Sequence, residues 1–591
     1  MASHKAEDHI LTTVDTIEDR PTTVDPEEQD VQAKAIDVPE DTGEGDKLRM
    51  IVQLVKRSFG VKDLASMRLS LPASLLEPMP NLEYWHYLDR PDLFTTINDH
   101  EDPFERMLAV LRFTFSKDIR HLRGKPCKPY NSVLGEKFRA HWNVAPISYD
   151  PEDRTPIITT HVDPLPKPDI SHSETGSIIA SKGSLKYSRV GAIGSLLSMK
   201  GWSSPSVDRP SSTVIESNLS AQRSNLSLAS TRTGESASAS TSSPPTSMST
   251  TGGTLRVAYL TEQISHHPPI SAYVASCPTR HITLSGIDQI SVRVLPSASV
   301  RVSSGAMNKG LFVTLDGGPG VGERYQITHP VAHVNGLLRG SFYATVHEST
   351  IVTCTGGPGV GDGDMLRAII EYKEESWLGK PHFAVEGVVH RYKPGSHEHE
   401  EWTKVKHVPP ARVEAHFEGS WRTVVRWRLA ESSSSSSEQL ATGGGKGKRA
   451  SSSSSSSLSS SAVNTEWTTL IDLTPLRAVP KSVRPISRQL PSESRRLWDS
   501  VTSRLLRKEF SEATRAKQVI EQRQRDEAAE RKRRGVEFVS RYFEKDIQSG
   551  VPTLTQAGRE ALEEELKYED EDEGEKGDAG DGNDQTPAPA S

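Results

Sequence analysis

The sequence predicts an α+β fold in which helices flank a large antiparallel sheet or barrel, and three observations predict it. After Asn131, short β-rich runs follow one another with glycine and proline between them and no helices interleaved. Ahead of them, from Leu64 to Phe115, helical segments are punctuated by Pro72, Pro78, Pro80, Pro91 and Pro103. Beyond Pro491 the helical period returns.

Residues 1–46 are rich in Asp, Glu, Thr and Pro and hold no aromatic residue, so they read as a disordered acidic arm. Leu48, Ile51, Val52, Val55 and Phe59 then recur at helical spacing beside Lys47, Arg49, Lys56 and Arg57, which makes a short amphipathic helix. Asp102-Pro103-Phe104-Glu105-Arg106 starts a helix that continues through Leu111, with Asp as the cap and Pro at the first helical position. The strand runs are 256–260, 270–275, 281–284, 291–294, 310–315, 343–346 and 383–390. Two serine-dominated insertions, 165–252 and 431–463, lack apolar periodicity and read as flexible loops, which a sheet tolerates because closure entropy grows only slowly with length. Helices are expected over 495–534 and 536–547, and residues 546–591 are expected to be a largely disordered acidic tail, with the run 563–572 solvated.

With 34% hydrophobic residues and a net charge of −7 over 591 residues, the chain is too polar to be globular throughout. The charge is uneven: 1–46 and 563–582 are acidic, whereas 495–534 is strongly basic and is the better candidate for phosphate or membrane contact. Cys127, Cys277 and Cys354 have neither disulfide-framework nor zinc-finger spacing, which fits a reducing compartment with no structural metal and no cofactor. Met1-Ala2-Ser3-His4-Lys5 opens no apolar leader, and no run approaches the roughly 18 apolar residues of a membrane span. A cytoplasmic protein in peripheral contact with membranes is the expectation.

The octapeptide Glu262-Gln263-Ile264-Ser265-His266-His267-Pro268-Pro269 sets two adjacent imidazoles before two prolines. Neighbouring side chains on a regular strand face opposite ways, so both rings can serve one ligand only where the backbone bends. Each ring can donate to a phosphate oxygen, and each gains positive charge beside an anion. The bland alternative is a strand end with two solvated or core-satisfied histidines. Lys517, Glu521 and Arg525, spaced by four, share one drifting helical face about 12 Å long, which serves a ligand or forms an exposed ion-pair ladder.

EQISHHPP resembles the fingerprint of the oxysterol-binding-protein-related family of lipid-transfer proteins, with Ile264 in place of the usual valine. Lys128-Pro129-Tyr130-Asn131-Ser132-Val133-Leu134-Gly135-Glu136 resembles a second family block, with Ser132 where proline is common. Glu493-Ser494-Arg495-Arg496 followed by Lys517, Glu521 and Arg525 resembles a third. The resemblance covers residues 47–545 apart from the two insertions, and it implies an incompletely closed β-barrel enclosing a lipid tunnel, with a C-terminal helical subdomain. The 47–59 helix becomes a lid, carried by Leu48, Ile51, Val55 and Phe59. His266, His267, Lys128, Asn131, Lys517, Glu521 and Arg525 become the headgroup site for phosphatidylinositol 4-phosphate. The implied activity is exchange of that lipid for sterol, or alternatively phosphatidylserine, at membranes such as endoplasmic reticulum, Golgi or plasma membrane. With no stretch before Lys47 long enough for a pleckstrin-homology domain, a short family form is expected.

Competing readings are weaker. The strings Gly317–Gly322 and Gly356–Gly361 lack the Gly-Lys-Ser/Thr ending of a phosphate-binding loop and read as hairpin turns, and no nucleophile elbow or HExxH helix occurs, so no enzyme is expected. A non-transporting phosphoinositide sensor or scaffold shares the same headgroup residues. Nucleic-acid binding is not expected, because Glu509, Glu512, Glu521 and Glu527 dilute the basic helix. The string at 567–573 resembles the acidic aromatic motif that binds VAP receptors but lacks its second aromatic.

Overall fold

The computed structural model describes residues 76–123, 128–151, 155–159, 253–295, 299–335, 343–360, 363–374, 382–431 and 466–569. The acidic arm, the lid residues Leu48, Ile51, Val55 and Phe59, the 165–252 insertion, 432–465 and the last residues from 570 lie outside the described residues.

Twelve strands form one antiparallel sheet. Its order is β1 (Lys137–Val144), β4 (Leu255–His266), β5 (Pro269–Cys277), β6 (Ile282–Asp288), β9 (Leu311–Leu315), β10 (Arg324–Ile327), β13 (Ser349–Thr355), β14 (Met365–Tyr372), β15 (Ala384–Tyr392), β16 (Val413–Ser420), β17 (Val424–Leu429) and β18 (Thr468–Asp472). β1 and β18 stand at opposite ends of the ladder, so the barrel is not closed. A second sheet runs β12 (Tyr343–His347), β11 (Val331–Asn335), β8 (Val300–Ser304), β7 (Ile290–Val294), and β2 (Ser148–Tyr149) pairs with β3 (Pro156–Ile157). Every predicted strand run falls on one of these strands. Both glycine strings are hairpin connections, β9 to β10 and β13 to β14, and positive φ at Gly318 (68°) and Gly356 (74°) explains the residue choice there.

Short helices α1 (Asn81–Tyr84) and α2 (Pro91–Thr95) lead into α3 (Pro103–Ser116), followed by α4 (Ile119–Arg123). Asp102 caps α3 by accepting the Phe104 N–H, as expected, and the helix runs one turn beyond Leu111. From Arg106 to Ser116 every residue of α3 is buried, so the helix lies within the curve of the sheet, touching β14 and β18. Leu108, Leu111, Phe113 and Phe115 share one core with Phe94, Trp142, Tyr259, Tyr325, Val389 and Phe417. The fully buried Arg106 is held by Glu323, which also accepts the Tyr325 hydroxyl at 2.6 Å, and it donates to the carbonyls of His100 (2.7 Å) and Glu101 (2.8 Å).

The C-terminal region differs from expectation in three ways. The predicted helix over 495–534 is two, α6 (Ser494–Leu506) and α7 (Phe510–Arg534), with α5 (Glu398–Glu401) preceding them in the chain; the break falls at Lys508, whose φ is +64°. Residues 536–547 are not helical, because the buried Glu262 carboxylate takes the backbone N–H groups of Arg541 (3.1 Å) and Tyr542 (2.7 Å) and the Ser540 hydroxyl. The expectation of a disordered tail from 546 is wrong as far as Glu569. α8 (Gln556–Lys567), capped by Thr555, packs on β4 and β1, with Leu260, Ile270, Tyr542, Phe543 and Ala561 in one apolar cluster. Nor is the run 563–572 wholly solvated. Glu565 is buried between Arg484 Nε (2.8 Å) and His141 Nδ1 (2.8 Å), and Glu564 meets Arg139 at 3.0 Å. Tyr568, the aromatic of the VAP-like string, lies under the Arg484 guanidinium at 4.3 Å, so it is committed to the fold.

Candidate functional site

β4 carries the histidine octapeptide to its end. The β4–β5 register slips between Gln263 and Ser265 and then pairs His266 with Pro269, leaving His267-Pro268 as a two-residue turn. A bulge re-aims the side chains that follow it. The imidazoles of His266 and His267 come edge to face with centroids 4.4 Å apart, His266 half-buried and His267 exposed. Ser265 Oγ donates to the Pro268 carbonyl at 2.7 Å and Gln263 Nε2 to the Ser265 carbonyl at 2.7 Å, which ties the turn internally.

The 128–136 loop is laid against this strand end. Gly135 N–H donates to the Gln263 carbonyl (2.9 Å) and Gln263 N–H to the Glu136 carbonyl (2.8 Å). Gly135 has φ +78°, and a Cβ there would press on the Phe538 ring at 3.2 Å. From the other side α7 contributes Gln524, whose Oε1 accepts the Leu134 N–H at 3.0 Å. Beneath the loop, Glu136 accepts from Val133 N–H (3.0 Å), Ser494 Oγ (2.7 Å) and Trp498 Nε1 (3.1 Å), so one carboxyl binds the loop to the first two turns of α6. Burial pushes Glu136 up to about 7, against the pull of those three hydrogen bonds.

On the loop itself Lys128 Nζ donates to Asn131 Oδ1 at 2.6 Å, and on α7 Lys517 Nζ donates to Glu521 Oε1 at 2.6 Å. The two pairs sit within each other's field. Lys128 is brought down to about 8 by burial and then by Lys517, with Glu521 opposing. The structure therefore groups Lys128, Asn131, Lys517 and Glu521, and the backbone pairing above sets the histidine turn on the same loop. Arg525 is different: it is exposed and turns onto Gln522 Oε1 at 2.9 and 3.1 Å. The Glu493–Arg496 block serves as framework, since Arg495 grips the buried Glu83 (2.6 and 2.9 Å) and Glu493 pairs with Arg139 (2.6 Å).

Glu136, Gln524 and Trp498 are the positions that sequence reasoning did not assign. Glu136 stood in a quoted motif, but nothing local reveals that its partners lie on a helix more than 350 residues away. Two cations and one carboxylate thus meet beside a pair of donor-bearing histidines.

The family description "Oxysterol-binding protein" matches residues 50–162 and 247–573, which also carries the domain past the expected boundary at 545. Oxysterol-binding protein-like protein 1 of Schizosaccharomyces pombe is 36% identical over 527 residues, 88% of this chain and 92% of that protein. Oxysterol-binding protein homolog 7 of Saccharomyces cerevisiae is 26% identical over 48% of this chain and 52% of its own length, and human oxysterol-binding protein-related protein 9 is 22% identical over 83% and 47%. The chain thus spans about half the length of these two relatives. Among solved structures, the Osh1 ORD domain in complex with cholesterol aligns with a TM-score of 0.49 and 16% identity over 87% of this chain and 88% of that one. The Osh3 ORD of Saccharomyces cerevisiae in complex with PI(4)P aligns with a TM-score of 0.43 and 14% identity over 85% and 89%. The chain belongs to the oxysterol-binding-protein family.

Proposed function

We propose that the protein binds phosphatidylinositol 4-phosphate through Lys128, Asn131, His266, His267, Lys517 and Glu521, with Arg525 at the rim, and exchanges it for sterol between membranes. The observation that carries this reading is the Lys128–Lys517 juxtaposition. Two ammonium groups held together at the cost of a depressed pKa are relieved by an anion between them. Asn131 and Glu521, each already aligned by a lysine, read the hydroxyls of an inositol ring. Several charge-assisted hydrogen bonds at about 1.5 to 3 kcal/mol each offset the desolvation of a phosphomonoester.

The family name supports sterol as the second lipid, with phosphatidylserine as the alternative. Burying a sterol-sized surface of roughly 600 Å² is worth on the order of 15 kcal/mol relative to water, but the donor bilayer offers a comparable environment. The net free energy of extraction is therefore small, and two lipids competing for one tunnel permit counter-exchange. Contact sites between organelle membranes are where such exchange acts.

The test is extraction of phosphatidylinositol 4-phosphate from liposomes by wild type and by a folded His266→Ala/His267→Ala variant, with sterol or phosphatidylserine as competitor. Stoichiometric extraction that the variant loses supports the site, and the competitor that displaces the lipid names the second cargo. Binding without extraction would replace transfer with a sensor or scaffold role.

A further inference from the structure

α7 ends on four consecutive cations, Arg531, Lys532, Arg533 and Arg534, and stops at Gly535. The φ of +63° at this glycine lets its N–H reach the Lys532 carbonyl (3.2 Å) and the Val536 N–H reach the Arg531 carbonyl (3.0 Å). Residues 535–541 then form neither helix nor strand, yet they are pinned. The Phe538 ring lies so close to Gly135 that a Cβ there would stand 3.2 Å from it, with Arg531 6.0 Å from the ring centroid on α7. Two residues on, the Ser540 hydroxyl and the Arg541 N–H both go to the buried Glu262.

This pinning leaves Val536 54% exposed and Val539 83% exposed. A valine exposed singly on a surface needs no explanation, and cations in a last helical turn complement the helix dipole. Here the two occur together, and the anchors place them. Gly135 belongs to the loop that carries Lys128 and Asn131, and Glu262 opens the octapeptide that carries His266 and His267. Val539 therefore sits between a contact to one headgroup loop and a contact to the other.

We infer that the segment 531–541 is a docking surface for an anionic bilayer, which seats the headgroup loops against the membrane holding their lipid; this rests on the lipid-binding function proposed above. Charge complementarity decides the occupant. Along the segment five cations stand against one carboxylate, Glu537, which is itself taken by Lys545 at 2.5 Å. Among the described residues only Arg533 of the five has a carboxylate partner, Glu530 (2.6 and 2.8 Å). Exposed apolar side chains flanked by basic ones suit the boundary of a negatively charged leaflet, where the apolar groups enter and the cations stay with the lipid phosphates. A protein partner fits less well, because protein interfaces are depleted in lysine and engage roughly 20 to 30 residues a side, far beyond this segment. Because Glu262 and Gly135 already fix the backbone, docking has little loop ordering to oppose it.

The experiment uses the full chain and co-sedimentation with vesicles of phosphatidylcholine, with and without phosphatidylglycerol, neither of which is a proposed cargo. Binding of a short-chain, water-soluble phosphatidylinositol 4-phosphate is measured in parallel. Wild type sediments with the anionic vesicles, and added salt weakens that association. Val536→Ser/Val539→Ser weakens it about tenfold, Lys532→Gln/Arg534→Gln weakens it about fivefold per charge removed, and both leave short-chain lipid affinity unchanged. If the valine pair fails to fold, Val536→Thr/Val539→Thr keeps side-chain shape and loses association in the same direction. Folded variants of either pair that sediment like wild type overturn the inference, as does a wild type that ignores anionic vesicles. So does a wild-type dimer in gel filtration that the valine pair splits while vesicle association persists. Failure of the proposed function reads differently: wild type then binds no short-chain lipid, while the vesicle comparison still reports on the segment.

Discussion

Lys517, only 3% exposed, directs its charge at Lys128, and this repulsion ranks second only to burial in bringing the Lys128 ammonium down to about 8. A phosphate between them reverses both influences and raises that pKa. The protonated lysine is the binding form, so affinity for short-chain phosphatidylinositol 4-phosphate takes no pH dependence from Lys128 below pH 7. It falls by up to tenfold per unit as pH rises past 8. Calorimetry in buffers of different ionisation enthalpy reads the proton uptake near pH 8, and Lys128→Met abolishes it. An affinity that stays level to pH 9 would argue against the paired-cation receptor.

Removing the Glu136 carboxyl leaves the Ser494, Trp498 and Val133 donors buried and unpaired, so Glu136→Ala lowers stability by about 3 kcal/mol. The wild type has its own signature. Glu136 rises from its ordinary 4.5 to about 7 on folding, so the folded state holds the extra proton between these values. The stability this confers is complete below about pH 4.5 and is lost as pH rises through 7. Asp288, raised from 3.8 to about 7, adds to the same slope. His329 and His390, lowered to about 4 by burial, tilt the whole-protein curve the other way, so the check is the difference in urea midpoint between wild type and Glu136→Gln from pH 5 to 8; a difference that does not shrink as pH rises would contradict the sign.

Glu565 and Glu564 are adjacent but unequal. Glu565→Ala strips a fully buried partner from Arg484 and His141 and costs about 3 kcal/mol. Glu564→Ala removes a carboxylate that is 59% exposed and costs under about 1 kcal/mol. Thermal melts of the two single variants decide whether α8 is a structural clamp or an ornament.

Gly387 sits where β15 crosses Phe417 of β16. A Cβ would fall 2.0 Å from the Phe417 ring and 2.3 Å from the Ile369 carbonyl, and the ring can shift but the carbonyl is fixed by the ladder. Gly387→Ala is expected to lose about 2 to 3 kcal/mol, read as a drop in denaturation midpoint with the wild-type m-value retained.

What the sequence revealed was local. The Asp102-Pro103 helix start, the glycine hairpins and the alternating strands are written in residues that touch their own neighbours. The bend that brings His266 to His267 was readable because prolines cannot continue a ladder. What it concealed depends on distant partners. Residues 536–547 have helical composition, yet Glu262, nearly three hundred residues earlier, takes the backbone donors a helix would need. The acidic run at 563–572 looks solvated because Arg484, His141 and Arg139, which hold it, are remote in sequence. Arg525 kept its helical register, but side-chain direction toward Gln522 is not a property of spacing.

The hydrogen bond from Trp498 to Glu136 closes 362 residues of chain. A ribosome adding about 5 to 20 residues per second takes on the order of tens of seconds to travel from one to the other. Throughout that interval the 128–136 loop has neither α6 nor α7 to lean on, and even after the histidine turn has been made the residues of the proposed site are not yet together. The proposed lipid site is thus complete only once nearly the last helix has been made. A chain truncated before α7 lacks both Lys517 and Gln524, and so lacks one whole side of the proposed site.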